Sequence, residues 1–404
     1  MEVVLAQAVY GGDCLARLED GRALFVPFGL PGETVRVEII EEKRAFARGR
    51  LLEVIKPSPE RISPRCVHYG DCGGCHYQHM AYERQLVLKQ DVVREQFQRI
   101  AGVAEPPVNA VISSPSEWNY RNTLQFHLDG KGALGFQAAA SHRVVAVSEC
   151  HLPETGLDEV WRQFQFDPLP GLERVEFRLG SDGDALVVLE SSSVDMPEVE
   201  VEMPVSLVHS SPFGEVVISG QETLPLTVLE RDFCVSATSF FQVNTPQAGN
   251  MVNYLLDLVP LTPDSVVFDV YCGVGLFSAF IAPRVKALVG IELSPKACGD
   301  FAANLDAFEN VSLYEGAAED VLEGLDVKAS LVIVDPPRAG LQVKALDALV
   351  ALRPEALVYV SCDPATLARD AKRLLKAGYH LESVQPFDLF PQTFHVETIS
   401  LFKI

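Results

Sequence analysis

The chain of 404 residues has no uninterrupted apolar stretch near the roughly 20 residues that a membrane-spanning helix needs. Its N-terminal sequence, MEVVLAQAVYGGD, lacks the basic segment and the apolar segment that together mark a secretion signal. Hydrophobic residues make up 48% of the chain and charged residues 22%, as in ordinary globular proteins. We therefore expect a cytoplasmic globular protein that is long enough for two or three domains.

A disulfide framework is not expected either, because disulfides rarely persist in the cytoplasm. The chain has nine cysteines, and most of them are scattered along the sequence. Only Cys66, Cys72 and Cys75 lie close together. This cluster therefore needs an explanation of its own.

The sequence has no excess of positive charge. Its formal net charge of −22 argues on its face against a polyanionic partner such as nucleic acid. Residues 1–125, however, contain 15 Lys and Arg against 16 Asp and Glu, so they carry about −1 and the other −21 lies after residue 125. Because salt screens charges beyond roughly 10 Å, a local nucleic-acid surface on the N-terminal part is compatible with the acidic remainder.

The N-terminal residues 1–57 alternate between apolar and polar in the manner of short β-strands separated by Gly and Pro turns. This pattern predicts a small barrel of the OB type, a fold that often binds oligonucleotides. A small β domain without any ligand would show the same pattern. After a linker rich in Pro and Ser, apolar residues at helical spacing predict a helix over residues 81–100.

Residues 58–235 are assigned to a second, mostly β domain. Hairpins are predicted across DGKG (129–132) and GSDGD (180–184), because Gly and Asp favour tight turns. Without a catalytic motif of its own, this domain is interpreted as a scaffold or a substrate platform.

Residues 236–404 alternate between strand-like apolar runs and helical segments, which predicts an α/β fold with a parallel, doubly wound sheet. Ligands of such sheets bind beyond the carboxyl ends of the strands. After one strand come Gly273 and Gly275, and Glu292 ends the next strand, where it can accept hydrogen bonds from ribose hydroxyls. Since a full G-x-G-x-x-G is absent, a nucleoside-type cofactor is favoured over NAD, and S-adenosylmethionine is the natural candidate. A glycine turn needed only for tight packing is the alternative.

Further side chains with chemical potential lie at neighbouring strand ends. Asp335 follows the run LVIV, and Cys362 follows ALVYVS. Glu397 lies just before the closing strand, and Gln242 lies beside two phenylalanines. The helix that begins after Asp363 is expected to lower the pKa of the Cys362 thiol. Purely structural roles are the alternatives for two of them: Asp335 could cap a helix, and Cys362 could be an inert buried thiol.

A thiolate, a base and a methyl donor together have a clear use on a pyrimidine. Addition of a thiolate to carbon 6 of uracil makes carbon 5 nucleophilic enough to accept a methyl group. A base such as Glu397 then removes the proton from carbon 5 so that the thiol can leave. The uracil must be taken out of its stack for this chemistry.

Several motifs occur in the order found in one enzyme family: SFFQVN, DVYCGVG, VDPPRAG, SCDPATLARD and FPQTFHVE. With them the chain resembles the RNA uracil-5-methyltransferase family, specifically its iron–sulfur branch that modifies uridine in 23S ribosomal RNA. The first 55 residues resemble the RNA-binding TRAM domain that precedes many members. The resemblance extends over essentially the whole chain.

The resemblance implies an enzyme that methylates carbon 5 of a specific uridine through a covalent adduct between cysteine and carbon 6. Cys362 matches the nucleophile and Glu397 the general base. The positions that match the cofactor pocket are Gln242, Tyr271, Gly273, Gly275, Leu276, Glu292, Ala317 and Asp335. Three of this chain's residues depart from the family pattern: Asp363 and Leu276 each stand where asparagine is usual, and Ala317 stands where an acidic contact is expected.

Three alternatives stay open at this stage. The substrate could be transfer RNA, or the chain could be an RNA-binding iron–sulfur protein without catalytic activity. The presence of both Cys362 and Glu397 speaks against a non-catalytic protein. A methyltransferase acting on an amine or amide is the third alternative, but that reaction needs no thiol.

The cysteine cluster, Cys66-x5-Cys72-x2-Cys75, has a candidate fourth member in Cys150. Four thiolates suit a [4Fe–4S] cluster or structural zinc, and the nearby histidines would also suit zinc. Spacing alone does not decide between these metals. The resemblance implies the [4Fe–4S] cluster, with a structural or RNA-shaping role, because methyl transfer needs no electrons.

Overall fold

The computed structural model describes residues 1–139, 141–168, 171–193, 199, 203–325 and 327–404. The α/β fold predicted from the sequence is confirmed: an N-terminal β sheet, a central β sheet and a C-terminal sheet flanked by helices follow one another along the chain. No helix among these residues is long and apolar enough to cross a membrane.

The N-terminal sheet has six strands in the order β1-β5-β6-β4-β3-β2. Its strands are β1 (Glu2–Val4), β2 (Gln7–Ala8), β3 (Asp13–Arg17), β4 (Ala23–Pro27), β5 (Thr34–Glu42) and β6 (Phe46–Lys56). Alternate side chains such as Leu24, Val26, Val35 and Val37 are buried in one small core, as the period-two pattern requires.

The central sheet has seven strands in the order β13-β12-β11-β10-β7-β8-β9, and both predicted hairpins occur in it, as β7–β8 and β10–β11. Its strands are β7 (Thr123–Leu128), β8 (Leu134–Gln137), β9 (Val144–Ala146), β10 (Leu172–Leu179), β11 (Ala185–Ser191), β12 (Ser206–Ser211) and β13 (Gly214–Ser219). A separate hairpin, β14 (Thr223–Val228) and β15 (Arg231–Ser236), leads into the last part of the chain.

The C-terminal sheet has seven strands in the order β18-β17-β16-β19-β20-β22-β21. Its strands are β16 (Val266–Val270), β17 (Ala287–Glu292), β18 (Val311–Glu315), β19 (Leu331–Val334), β20 (Ala356–Ser361), β21 (His380–Phe387) and β22 (Glu397–Lys403). The first five of these pair in parallel, whereas β22 runs antiparallel to both of its neighbours.

The helices are α1 (Tyr82–Gln96), α2 (Thr155–Trp161), α3 (Thr245–Leu258), α4 (Leu276–Ile281), α5 (Pro295–Asn304), α6 (Ala318–Gly324), α7 (Val343–Leu352) and α8 (Pro364–Lys376). One core on the C-terminal sheet contains α3, α4 and α5, and a second contains α6, α7 and α8.

Helix α1 is the predicted helix, but its packing differs from the sequence-based grouping with residues 58–235. Val93 and Phe97, which follow each other on one face of this segment, are fully buried in the core that contains α8. The segment packs there because its apolar helical face is buried against the C-terminal part of the fold. The segment after it continues onto the same sheet, where Val108 and Ile112 form bridges with β21.

Candidate active site

The predicted site residues gather at one edge of the C-terminal sheet because of its topology. Parallel strands β16, β17, β19 and β20 all end at this edge, with Tyr271, Glu292, Asp335 and Cys362 at or just after their last residues. Strand β22 is antiparallel to β20, and Ser361 pairs with Thr398, so the start of β22 meets the end of β20. This pairing brings Glu397 beside Cys362.

The turn after β16 has the backbone of a ligand-binding loop. Tyr271, Gly273 and Gly275 all have positive φ angles of 65°, 52° and 93°. A Cβ on Gly275 would lie 2.5 Å from the Leu305 side chain, so this glycine is needed for packing. A Cβ on Gly273 would meet nothing within 4 Å, which leaves open space above the turn. The packing explanation therefore holds for Gly275, while the space at Gly273 is available to a ligand.

The Glu292 carboxylate is fixed by backbone amides at this turn. Its Oε2 accepts from Gly273 N at 3.0 Å, and its Oε1 accepts from Leu293 N and Ser294 N at 2.8 Å each. A carboxylate has about four acceptor positions, so one remains for a hydroxyl group. Next to it, Ala317 begins α6 without a side-chain cap, and the side chain of Leu276 is buried.

Two acids lie beside the turn: Asp269 is buried, and Asp335 is partly exposed. Asp269 accepts from Ser278 Oγ at 2.5 Å through Oδ2, and its Oδ1 has no partner among the described atoms. Burial raises the pKa of Asp269 to about 6. Burial, together with the nearby Asp269, raises the pKa of Asp335 to about 7. The cluster therefore favours a positively charged ligand, which would stabilise both carboxylates.

The Cys362 thiol is not activated in the way that the sequence predicted. Burial first, then the charges of Glu397 and Asp335, raise its pKa to about 12, and only Arg338 opposes them. The first backbone amides of α8 donate to Asp363 and not to the thiol: Asp363 Oδ1 accepts from Ala365 N and Thr366 N, both at 2.9 Å. The predicted cap is present, but the predicted lowering of the thiol pKa is wrong for the ligand-free protein.

Glu397 shares this protonated resting state. Burial raises its pKa to about 8, Asp335 adds to the rise, and Arg338 opposes it. Only 7% of the residue is exposed. Near neutral pH, Glu397 and Cys362 are therefore protonated in the ligand-free protein. Binding of a substrate or a cofactor must lower their pKa values before they can react.

Sequence reasoning missed the role of two residues at this site. Arg338, within the quoted VDPPRAG motif, opposes the rise in the pKa of the Cys362 thiol, and its guanidinium lies 2.7 Å from His395 Nδ1. Tyr10, from the loop between β2 and β3, donates from its hydroxyl to Asp363 Oδ2 at 2.8 Å. The motif contained a signal for Arg338, whereas no local pattern marks Tyr10.

Gln242 lies at the entrance to the C-terminal part, largely buried in the segment before α3. Its backbone oxygen accepts from Asn122 Nδ2 at 3.1 Å. Of the two preceding phenylalanines, Phe241 is 6% exposed and packs on Phe233, whereas Phe240 is 72% exposed. The packing explanation offered for one of the two phenylalanines holds for Phe241, and Phe240 is available for contact with a partner.

The four cysteines proposed as ligands line one cavity of about 80 Å³. Burial raises the pKa of Cys75 to about 12, and the other three cysteines contribute to that rise. As they are placed, the described residues contain no group of three His, Cys, Asp or Glu side chains that could hold a metal. The four cysteines thus share a cavity, but the described side chains are not arranged around it as metal ligands.

Two of the neighbouring histidines, His68 and His151, have other partners. His68 Nε2 accepts from Ser148 N at 3.0 Å, and His151 pairs with Glu149 at 3.2 Å. Both histidines line the cavity together with the four cysteines.

Comparison with known proteins identifies the class of protein. A family model described as tRNA (uracil-5-)-methyltransferase matches residues 220–403, and a TRAM domain model matches residues 3–52. An RNA methyltransferase of Halalkalibacterium halodurans, described as uncharacterized, is 33% identical over 100% of this chain and 97% of its own length. One of Clostridium tetani, described in the same way, is 34% identical over 94% of this chain and 91% of its own length.

The fold has a full-length counterpart among solved structures. The Pyrococcus abyssi tRNA (uracil-54, C5)-methyltransferase, in complex with S-adenosyl-L-homocysteine, covers 100% of both chains with a TM-score of 0.76 and 24% identity. At this identity the likeness shows the fold alone. The protein is an RNA methyltransferase. It belongs to the tRNA (uracil-5-)-methyltransferase family and carries a TRAM domain.

Proposed function

We propose that the chain methylates carbon 5 of a specific uridine in RNA through a transient bond between Cys362 Sγ and carbon 6. The observation that carries this proposal is the pairing of Ser361 with Thr398. Through this pairing Cys362, the proposed nucleophile, lies beside the acid Glu397 at the edge of the sheet where the proposed cofactor residues also lie. An RNA methyltransferase that acts on nitrogen or oxygen needs no such thiol.

In this mechanism Cys362 acts first. Its thiol releases a proton to water, Arg338 stabilises the thiolate, and the sulfur adds to carbon 6. The electron pair moves to carbon 5, which then takes the methyl group that S-adenosylmethionine supplies from its sulfonium centre.

Glu397 completes the reaction as the base. Its carboxylate takes the proton from carbon 5, the double bond between carbons 5 and 6 re-forms, and the carbon–sulfur bond breaks to release Cys362. Because its resting pKa is about 8, Glu397 must first be ionised. The positive charge of the bound cofactor favours that ionisation.

We propose that the cofactor lies over the turn after β16. Glu292 would hold the ribose, and Asp335 would face the positive centre and the target base together with Gln242. The backbone of Tyr271, Gly273 and Gly275 would form the floor, with Leu276 and Ala317 at its sides. The open space above Gly273 and the free acceptor position of Glu292 support this placement.

For the substrate we propose 23S ribosomal RNA, on the resemblance to the iron–sulfur branch of the family. Four cysteines that share one cavity support this choice, since Cys66, Cys72, Cys75 and Cys150 are the residues that would hold a [4Fe–4S] cluster. The Pyrococcus abyssi protein of the same fold is a transfer RNA enzyme, so transfer RNA is the alternative. Visible absorption and iron content of anaerobically prepared protein test the cluster; a colourless zinc protein would contradict it.

Methylation assays with labelled S-adenosylmethionine test the function and the substrate. Wild type should label uracil carbon 5 in 23S ribosomal RNA rather than in transfer RNA. Cys362→Ala should bind S-adenosylmethionine normally and lose at least 1000-fold in kcat, about 4 kcal/mol. Cys234→Ala, which changes an exposed free cysteine, is the matched control and should stay active. Full activity of Cys362→Ala would eliminate the covalent mechanism.

A further inference from the structure

A second cavity, of about 570 Å³, lies where three parts of the chain meet. Gly12 and Arg48 come from the N-terminal sheet, His76 from the cysteine segment, and Ala139 from the central sheet. Phe394, three residues before Glu397, also forms part of its lining. The volume is within the range of sites for small ligands.

This cavity is separated from the active site by a thin wall of side chains. The ring of Phe394 contacts Tyr10 edge to face at 5.8 Å, and Tyr10 donates to Asp363, the residue after Cys362. On its other side Phe394 lies 4.2 Å from the ring of His395, which contacts Arg338. A ligand in the cavity would therefore be a close neighbour of a uracil at Cys362.

The lining of the cavity suits a neutral, planar group better than a phosphate. Asp13 and Arg48, the carboxylate and the guanidinium among its described lining residues, pair with each other at 3.2 Å. His76 lines the cavity, and its Nδ1 is buried without a hydrogen-bond partner among the described atoms. Phe394 adds an aromatic surface, and base–aromatic contacts are typical of single-strand recognition.

An aromatic surface leads from the outside of the N-terminal sheet to this cavity. Phe25 and Phe46 contact each other edge to face at 5.8 Å on neighbouring strands. The guanidinium of Arg48 lies 6.0 Å and 5.9 Å from their ring centroids. Arg48 also lines the cavity, so the two features are continuous. Rings next to a cation are a common surface for unpaired bases.

We propose that this cavity binds one unpaired nucleobase of the substrate RNA, close in sequence to the target uridine, and thereby helps to select the uridine that is methylated. The proposal rests on the proposed function, because it takes the flipped uridine at Cys362 as its reference point. Its occupant is a base of the same RNA molecule, and the cavity gives the N-terminal sheet and the cysteine segment a part in specificity.

The test combines changes in the RNA with changes in the protein. The RNA fragment that the enzyme methylates is synthesised with an abasic nucleotide at each of three positions on either side of the target. For wild type we expect one position to raise KM by roughly 10- to 100-fold with kcat retained, as loss of one stacked base predicts. Ala139→Trp, which fills the cavity from an exposed position, should raise the KM of the intact RNA similarly and should be insensitive to that abasic position.

Ala303→Trp, on the exposed surface of α5, is the matched control and should behave as wild type. The proposal is overturned if Ala139→Trp keeps the wild-type KM, or if its effect multiplies with that of the abasic position. If wild type methylates no RNA, the proposed function fails separately. Anisotropy of a labelled mixed-sequence single-stranded RNA then tests the cavity, and equal Kd values for the two variants would overturn it.

Discussion

At the scale of single residues, the sequence indicated the reactive groups but not their protonation. Asp335 and Cys362 are predicted at strand ends because apolar runs end there, and Glu397 is predicted just before the closing strand. The structure brings all three to one edge of the sheet. The pKa of the thiol was predicted in the wrong direction. Burial and the charges of residues on other strands decide it, and a sequence shows neither.

Glu397→Gln should trap the reaction after methyl transfer. Glutamine keeps the size of the side chain but cannot take the proton from carbon 5, so the carbon–sulfur bond with Cys362 persists. A protein–RNA band of slow migration should accumulate on a denaturing gel. The double variant Cys362→Ala, Glu397→Gln should give no such band, and a band from the double variant would contradict the assignment of Cys362.

The raised pKa of Glu397 also predicts how stability depends on pH. The folded protein holds this proton up to about pH 8, whereas the unfolded chain releases it near the ordinary value of 4.5. The contribution is thus fully present below pH 4.5 and is lost as pH rises through 8. The free energy of unfolding of the ligand-free protein should therefore fall between pH 6 and 8, with Asp335 adding to the decline up to about pH 7.

Glu397→Gln should flatten that decline by up to about 1.4 kcal/mol per pH unit, because glutamine does not titrate. Urea unfolding at pH 6, 7 and 8 measures it. Glu19→Gln, at an exposed position, is the control and should keep the wild-type slope. Parallel curves for wild type and Glu397→Gln would show that Glu397 is ionised in the resting protein.

At the scale of elements, local sequence signals predict the hairpins and helix α1 correctly. They do not predict the elements against which these pack. The two hairpins follow from Gly and Asp in short turns, which act within a few residues. Helix α1 was also predicted, but its periodicity does not say that Val93 and Phe97 pack in the same core as α8. The antiparallel placement of β22, which brings Glu397 to Cys362, likewise depends on contacts distant in sequence.

Asp363 gives a test of one such element. Its Oδ1 caps α8 through two amides, so Asp363→Ala should lower the free energy of unfolding by about 1 kcal/mol. Asp363→Asn keeps an oxygen for the same amides and should cost only a few tenths of that. Urea unfolding distinguishes the two variants. An equal loss in both would mean that the charge of Asp363 or its bond with Tyr10, rather than its capping bonds, contributes the stability.

At the scale of the whole molecule, the segment from Asp388 to Val396 connects parts that the sequence shows far apart. Gln392 O accepts from His76 N at 2.8 Å and from Tyr77 N at 3.0 Å, next to the cysteine cavity. Gln392 and Gln85 exchange two hydrogen bonds of 3.0 Å each. The position of Glu397 therefore depends on α1 and on the cysteine segment, which gives that segment a structural role without any redox step.

Removal of the ion pair between Lys89 of α1 and Asp388 is the strongest test of the contact between α1 and the segment that leads to Glu397. Their charged atoms lie 2.6 Å apart, and both side chains are 0% exposed. Lys89 Nζ also donates to Phe390 O at 3.1 Å. Lys89→Met leaves Asp388 as a buried charge without its partner, which should cost about 3–5 kcal/mol of unfolding free energy. Lys372→Met, at an exposed position of α8, should change little.

The double variant Lys89→Met, Asp388→Leu separates two effects of losing Lys89: the unpaired charge of Asp388 and the missing contact between α1 and the segment that leads to Glu397. Since a buried ion pair is often replaced by apolar side chains at little cost, most of the stability lost in Lys89→Met should return. The bond to Phe390 O stays absent, however, so the segment that leads to Glu397 is held less firmly, and kcat should remain about 10-fold below wild type while S-adenosylmethionine binds normally. Urea unfolding and single-turnover methylation measure the two effects. A double variant with wild-type kcat would show that the catalytic base is positioned by its own strand, and that α1 contributes stability alone.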